Sequence, residues 1–483
     1  MLPEPEVCKR ARKARDPRFD GRFYIAVLTT GIYCRPVCPA RMPAEDNVRY
    51  FPSPASAQDA GFRPCLRCRP ETARRLPEWT LASQTVVRGM RLIDAGYLDS
   101  NPVEALAGKL GISGRHLNRL FLDALRATPK SLARTRRVQL AKRLIDCSSL
   151  PLAEVAMRAG FGSIRRFNDE MKEAYGRSPR DLRRVRSGEP DQDIVLHLPV
   201  RGPYHVDWVF DFLQARALPG LEEVVDGEYR RALFVDGEPA GWLRVRWVDD
   251  GLQLEVPPQG VAHLGDLLAR VRRVFDLDAD PAAIQSVLAE DPLLADCLAR
   301  NPGLRVPGAW NGFETAVRAI LGQQVSVARA RKLAVDLCER FGGGDFPAPE
   351  ALVDADVSAI GMPGKRGEAV RALARGVLEG AVTLDESAEP ATLEEALTAL
   401  PGIGPWTAGY VGMRVARDPD AFPDADWVVL KVLDMTPGAA RKRAAAWRPW
   451  RSYAVMALWR IEGERREKAA AASQQATQKK GKK

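Results

Sequence analysis

No apolar run in these 483 residues approaches the roughly 18–20 residues that a membrane span requires. The opening stretch MLPEPEVCKRARKARD lacks the apolar core of a secretory signal. Collagen-like and low-complexity compositions are absent except at the very end, and no array of repeats is visible. Cysteine is sparse, at 8, and is not spread as in a disulfide scaffold. These absences lead us to expect a cytoplasmic monomer with reduced thiols and no contact with membranes.

What is present is charge, unevenly placed. The chain holds 72 Lys+Arg against 62 Asp+Glu, a formal net of +10. Residues 1–190 carry 36 basic and 20 acidic residues, residues 191–463 carry 29 and 40, and residues 464–483 carry 7 and 2. The basic character belongs to the first part and the tail, which directs attention to a polyanion there.

The length suggests about three or four domains at roughly 100–200 residues each. We expect a multi-domain α+β chain. Residues 1–77 read as a small zinc-stapled α/β module with strands at Phe23–Thr30 and Val48–Phe51 and a helix at Ala55–Gly61. Residues 84–186 read as an all-α, double helix-turn-helix domain, followed by a linker at 187–193. Residues 194–275 alternate apolar and polar positions in four strands, with helices at Trp208–Ala217 and Leu264–Phe275. Residues 276–463 are helical again, and 464–483 read as a disordered basic tail.

Cys34, Cys38, Cys65 and Cys68 form C-x3-C-x26-C-x2-C, two close pairs able to give four thiolates to one Zn²⁺. Most such sites are structural. Four thiolates leave a formal charge of −2 on the centre, however, so an electron-rich sulfur could attack a methyl group. Arg15–Arg41, Asn47–Phe51 and Gly61–Pro70 resemble the N-terminal methyl-acceptor domain of Ada. The resemblance implies that Cys34 takes a methyl from a DNA methylphosphotriester and that the other three cysteines complete the zinc site. Arg35 and Arg41 are candidate phosphate contacts, with Arg63 and Arg67 behind them.

Val103–Phe121 breaks at Gly111, and Ser113 is a plausible cap for a second helix carrying Arg115, His116, Asn118 and Arg119. Leu152–Tyr175 repeats the plan, with a helix starting near Ser163 and carrying Arg165, Arg166 and Asn168. Joined by a long helix near Ser131–Asp146, the pair resembles the AraC-type DNA-binding domain. The resemblance implies that the second helix of each unit reads the major groove of double-stranded DNA.

Leu400–Tyr410, LPGIGPWTAGY, is a helix-hairpin-helix string in which Gly402 and Gly404 let backbone N–H groups approach phosphate. Such a hairpin can also hold a monovalent cation through its carbonyls. FPDAD at Phe422–Asp426 and WRPWRSYA at Trp447–Ala454 follow. Upstream stand His197–Glu222, Asn301–Gly308 and Phe313–Val327. This order of motifs resembles the AlkA family of 3-methyladenine DNA glycosylases II. The resemblance implies Asp426 as the catalytic carboxylate, with Asp424 as the alternative. It implies a pocket of Trp406, Tyr410 and Trp459, and a wedge at Gln324 where the family has an apolar residue. Cationic alkylated bases suit an electron-rich aromatic pocket. Trp406 occupies the slot where related bifunctional enzymes carry a Schiff-base lysine, so a monofunctional glycosylase is expected. The Pro-Cys-His-Arg string of O6-methylguanine methyltransferases is absent, and no such repair is expected. A methylation-sensing transcriptional regulator with a degenerate glycosylase domain is the alternative reading.

Overall fold

The computed structural model describes residues 2–74, 83–148, 150–183, 193–235, 237–385 and 387–480. All but one residue of the 187–193 linker lies outside the described residues. The chain forms two compact units. The first comprises 1–201, 222–273 and 277–279; the second comprises 202–221, 274–276 and 280–483. Segment 202–221 therefore belongs with the helical body, although we expected it inside a 194–275 module. The reason is the helix Val206–Gln214, which buries Val209, Phe210, Phe212 and Leu213. Periodicity reveals that apolar face but not the body it packs against.

The first unit begins with a four-stranded sheet of order β3-β1-β2-β4, formed by β1 (Tyr24–Val27), β2 (Ile32–Cys34), β3 (Val48–Phe51) and β4 (Arg63–Pro64). Alternation along β1 sends Tyr24 and Ala26 to one core with Tyr33, Ala57 and Phe62. Ile25 goes to a second core with Cys8, Ala11 and Phe23. Cys8 and Ala11 come from the helix Pro5–Lys13, which sequence inspection missed. The expected strand Phe23–Thr30 is cut short because the chain turns at Gly31, whose φ of +64° suits a residue without Cβ.

The helical part follows the expected plan. Ser113 Oγ accepts His116 N–H at 3.3 Å and opens the helix Gly114–Leu125. Ser163 Oγ accepts Arg166 N–H at 3.2 Å and opens Ile164–Tyr175. Between them runs the helix Pro129–Cys147. A second sheet, order β5-β9-β8-β7-β6, is antiparallel throughout: β5 (Ile194–Pro199), β6 (Glu222–Val225), β7 (Glu228–Val235), β8 (Glu238–Val248) and β9 (Gly251–Val256).

In the second unit, the hairpin helices Pro390–Thr398 and Pro405–Arg414 pack together, and the latter also packs on Gly312–Leu321. The short helix Trp427–Leu433 packs on the final helix, Arg451–Lys480. That final helix runs into the segment expected as a disordered basic tail, as far as Lys480. Glu, Arg, Lys and Ala are strong helix formers, which suits a helical backbone there. No helix among the described residues is long and apolar enough to cross a membrane.

Candidate functional site

The metal centre follows from strand pairing. β2 ends at Cys34 and runs parallel to β4, and Cys65 N–H donates to Tyr33 O at 3.0 Å. A turn with Cys38 N–H on Arg35 O at 3.1 Å returns the second cysteine. All four sulfurs lie within 4.8 Å of one another. A tetrahedral zinc with Zn–S near 2.3 Å needs sulfurs about 3.8 Å apart, so the group fits. Cys65 and Cys68 are buried, and Cys34 and Cys38 are half-buried.

Arg35, expected to face phosphate, turns inward instead. Its guanidinium forms two bonds to Asp20, which is 2% exposed, one of them Nε to Oδ1 at 2.8 Å. It also donates to Cys68 O at 3.2 Å and Thr72 Oγ1 at 3.1 Å. Its backbone N–H points at Cys68 Sγ, 3.4 Å away. Arg35 is thus a brace for the cysteine cluster, because a buried carboxylate lies within its reach and must be paired. Arg41 is exposed. Beyond the cluster, Arg69 pairs with both Glu71 and Asp146, fastening the Cys65–Cys68 turn to the helix Pro129–Cys147.

On the second helix of the first helix-turn-helix unit, Arg115 and Arg119 are exposed and His116 and Asn118 are half-buried. Arg119 Nη2 lies 2.9 Å from His116 Nδ1. Arg165, Arg166 and Asn168 are exposed, and Arg166 also pairs with Glu170 at 2.7 Å.

The second unit brings Asp426, Trp406, Tyr410 and Trp459 together. Asp426 caps the helix Trp427–Leu433 and is 6% exposed. Oδ1 accepts Val428 N–H and Val429 N–H, each at 3.0 Å, and Trp459 Nε1–H at 3.1 Å. Oδ2 accepts Trp406 Nε1–H at 2.9 Å. Tyr410 lies between the two indoles, its centroid 5.7 Å from Trp406 and 6.3 Å from Trp459, with interplanar angles of 23° and 28°. Asp424, the alternative carboxylate, pairs with Arg441 at 2.6 Å and does not join the cluster.

Tyr410 sits against a group of arginines. Arg414 Nη1 donates to its hydroxyl at 2.7 Å and fixes itself on Pro307 O and Gly308 O. Burial pushes the Tyr410 phenol up, but Arg414, Arg216 and Arg318 outweigh it and hold the group at about 8. Arg216 rests its guanidinium 3.7 Å from the Phe212 ring centroid.

Gly402 has φ +78°, and a Cβ there would stand 2.9 Å from Ala369 Cβ, so the hairpin needs glycine. Gly404 caps Pro405–Arg414 without a side-chain partner, so no cap side chain occupies the first N–H groups of that helix. Gln324 is exposed with φ +55°, held outward in a left-handed turn between two helices. Sequence reasoning missed its neighbour. Gln323 Nε2 donates to Gly402 O and Thr407 Oγ1, both at 3.0 Å, and Gln323 O accepts from Arg366. Gln323 thereby ties the Gln324 turn to the hairpin and occupies one hairpin carbonyl. The doubled glutamine in LGQQVSV was the available signal.

Three family models match successive stretches of the chain. Residues 7–71 match the family described as the metal binding domain of Ada, residues 106–185 a helix-turn-helix domain, and residues 195–311 the AlkA N-terminal domain. The probable bifunctional transcriptional activator/DNA repair enzyme AlkA of Mycobacterium tuberculosis is 41% identical over 484 residues, covering 94% of this chain and 96% of that protein. DNA-3-methyladenine glycosylase 2 of Escherichia coli is 37% identical over 279 residues, covering 54% of this chain and 95% of its own. The bifunctional transcriptional activator/DNA repair enzyme Ada of Escherichia coli is 36% identical over 177 residues, covering 35% of this chain and 46% of its own. With a relative that similar along nearly its whole length, the chain belongs to the family of AlkA-type bifunctional transcriptional activators and DNA repair enzymes.

Proposed function

We propose that this protein repairs alkylated DNA and links repair to transcription: a DNA-3-methyladenine glycosylase joined to a zinc-bearing DNA-binding half. The observation that carries the enzyme reading is the Asp426 carboxylate, held by four N–H donors beside an aromatic stack. An alkylated purine extruded from the duplex would lie against Trp406, Tyr410 and Trp459, whose electron-rich faces attract its positive charge. The bond between C1′ and the base nitrogen breaks, and its electron pair leaves with the base, neutralising it. Asp426 faces the cation-like sugar and stabilises it. Water then adds to C1′ and loses a proton, leaving an abasic site. With Trp406 bonded to the carboxylate in the slot where related bifunctional enzymes carry a lysine, no amine attacks C1′ there, and the enzyme is monofunctional.

Cys34, Cys38, Cys65 and Cys68 would hold the zinc, which would keep their sulfurs deprotonated. Cys34 Sγ attacks the methyl carbon of a phosphotriester; the C–O bond breaks, a C–S bond forms, and the phosphodiester departs with the electron pair. The centre loses one negative charge, which reduces its repulsion from DNA phosphate. The glycosylase is tested by measuring free 3-methyladenine released from methylated DNA. Release by the wild type and none by Asp426→Asn is expected, and no release by the wild type would refute the reading. A gain of one methyl on Cys34 by mass spectrometry tests the other site.

A further inference from the structure

Trp427 is 63% exposed, more than any other exposed large apolar side chain among the described residues. It immediately follows Asp426 and opens the helix Trp427–Leu433. The helix does not need it for packing, since its buried face is Val429, Val432 and Leu433. Leaving an indole in water forgoes the favourable burial of a large apolar surface. Its surroundings are cationic. Lys431 Nζ lies 5.0 Å and Arg466 Cζ 6.0 Å from the ring centroid. Both cations pair with the single carboxylate of Glu462, so the patch keeps an excess positive charge. An aromatic face flanked by excess cations suits a nucleotide, with the ring for a base or sugar and the cations for a phosphate.

We propose that Trp427, Lys431 and Arg466 form a strand-holding surface for the nucleotide next to the extruded one. Trp427 follows Asp426 directly in the chain, which places its exposed ring within one residue of the carboxylate assigned to the reacting sugar. The indole packs on that nucleotide once its stacking neighbour has left, and the two cations meet its phosphate. The surface thus compensates for stacking lost when the base is extruded. Trp427 is a positioning residue: it does not touch the reacting atoms.

This inference rests on the glycosylase reading, and its test separates the two. Affinity of the full-length protein for a duplex bearing one abasic-site analogue is measured by fluorescence anisotropy, which needs no turnover. Trp427→Ala should weaken this affinity about tenfold, in line with the loss of one base–aromatic stack. Trp427→Tyr should restore most of it. KM for base release should rise by a similar factor in Trp427→Ala, with a smaller change in kcat. Arg466→Gln should lower the slope of log affinity against log salt by about one. Wild-type affinity in Trp427→Ala, or equal losses in the Ala and Tyr variants, would overturn the proposal while leaving base release intact. A wild-type enzyme that binds the analogue but releases no base would instead overturn the glycosylase reading.

Discussion

Trp406 donates its indole N–H to Asp426 Oδ2 at 2.9 Å while its ring stacks on Tyr410. One side chain thus holds the carboxylate and stacks on Tyr410, and in the proposed reading it also forms the pocket wall. Trp406→Phe separates the two tasks, because it keeps an aromatic wall and removes the donor. A hydrogen bond to a charged group contributes about 1.5–3 kcal/mol, so the single-turnover rate of base release should fall about 10- to 100-fold. Trp406→Ala, which loses the wall as well, should fall further. Equal rates in wild type and Trp406→Phe would deny the N–H its orienting role.

Asp426 also caps the helix Trp427–Leu433 through Val428 and Val429 N–H. Asn is as good a cap as Asp, whereas Ala loses about 1 kcal/mol. Asp426→Asn and Asp426→Ala should therefore both lose base release, and the Ala variant, which gives up the cap as well as the indole contacts, should lose more stability in urea unfolding. A fully active Asp426→Asn would remove the carboxylate from the chemistry.

The Tyr410 phenol gives a pH signature. Its folded value of about 8 lies below the ordinary 10, because Arg414, Arg216 and Arg318 outweigh burial. Between these values the unfolded chain holds a proton that the folded one has released, so stability rises with pH through this window. The contribution is fully present above about 10 and is lost as pH falls through about 8. Tyr410→Phe should abolish it. Ultraviolet difference spectra of wild type against Tyr410→Phe should show one phenolate forming near pH 8.

Much of this was legible in the sequence, for local reasons. The cysteine pairs, the hairpin glycines and the serine caps act over a few residues, so spacing reveals them. The inward turn of Arg35 was not legible, because its partner Asp20 lies fifteen positions away, outside the strands that place Arg35. Nor was Gln323, whose bonds reach residues 402 and 407 in another element. The helix Pro5–Lys13 buries little beyond Cys8, Ala11 and Arg12, so it shows no ordinary apolar stripe. Asp426 was singled out by its place in a motif, while its four donors come from two neighbouring residues and two distant indoles.

If the helix Gly114–Leu125 meets DNA, its arginines should split in behaviour. Exposed Arg115 and Arg119 can meet either a phosphate or a base edge. An arginine on phosphate lowers the salt slope of binding by about one when replaced and weakens all sequences alike. An arginine on a base edge costs about 1–3 kcal/mol and relaxes preference at one position. Arg119 is held against His116, which restricts its sweep. We expect Arg119→Ala to relax sequence preference and Arg115→Ala to lower the salt slope, as read by titrations at several salt concentrations.

Zinc removal should be felt beyond the cysteines. Arg35 N–H faces Cys68 Sγ, its guanidinium holds Cys68 O and Asp20, and Arg69 carries the same turn to Asp146. Without metal the four sulfurs lose their common centre, and structural zinc in small modules supplies about 10–16 kcal/mol of binding energy that doubles as folding energy. A chelator, or Cys65→Ala, should therefore release one zinc per chain and unfold the first module. It should also expose Asp146 and its neighbours on the helix Pro129–Cys147 to hydrogen exchange. Base release, which depends on the second unit, should persist. Retention of full protection around Asp146 after complete loss of zinc would show that the Arg69 connection does not transmit the state of the metal centre.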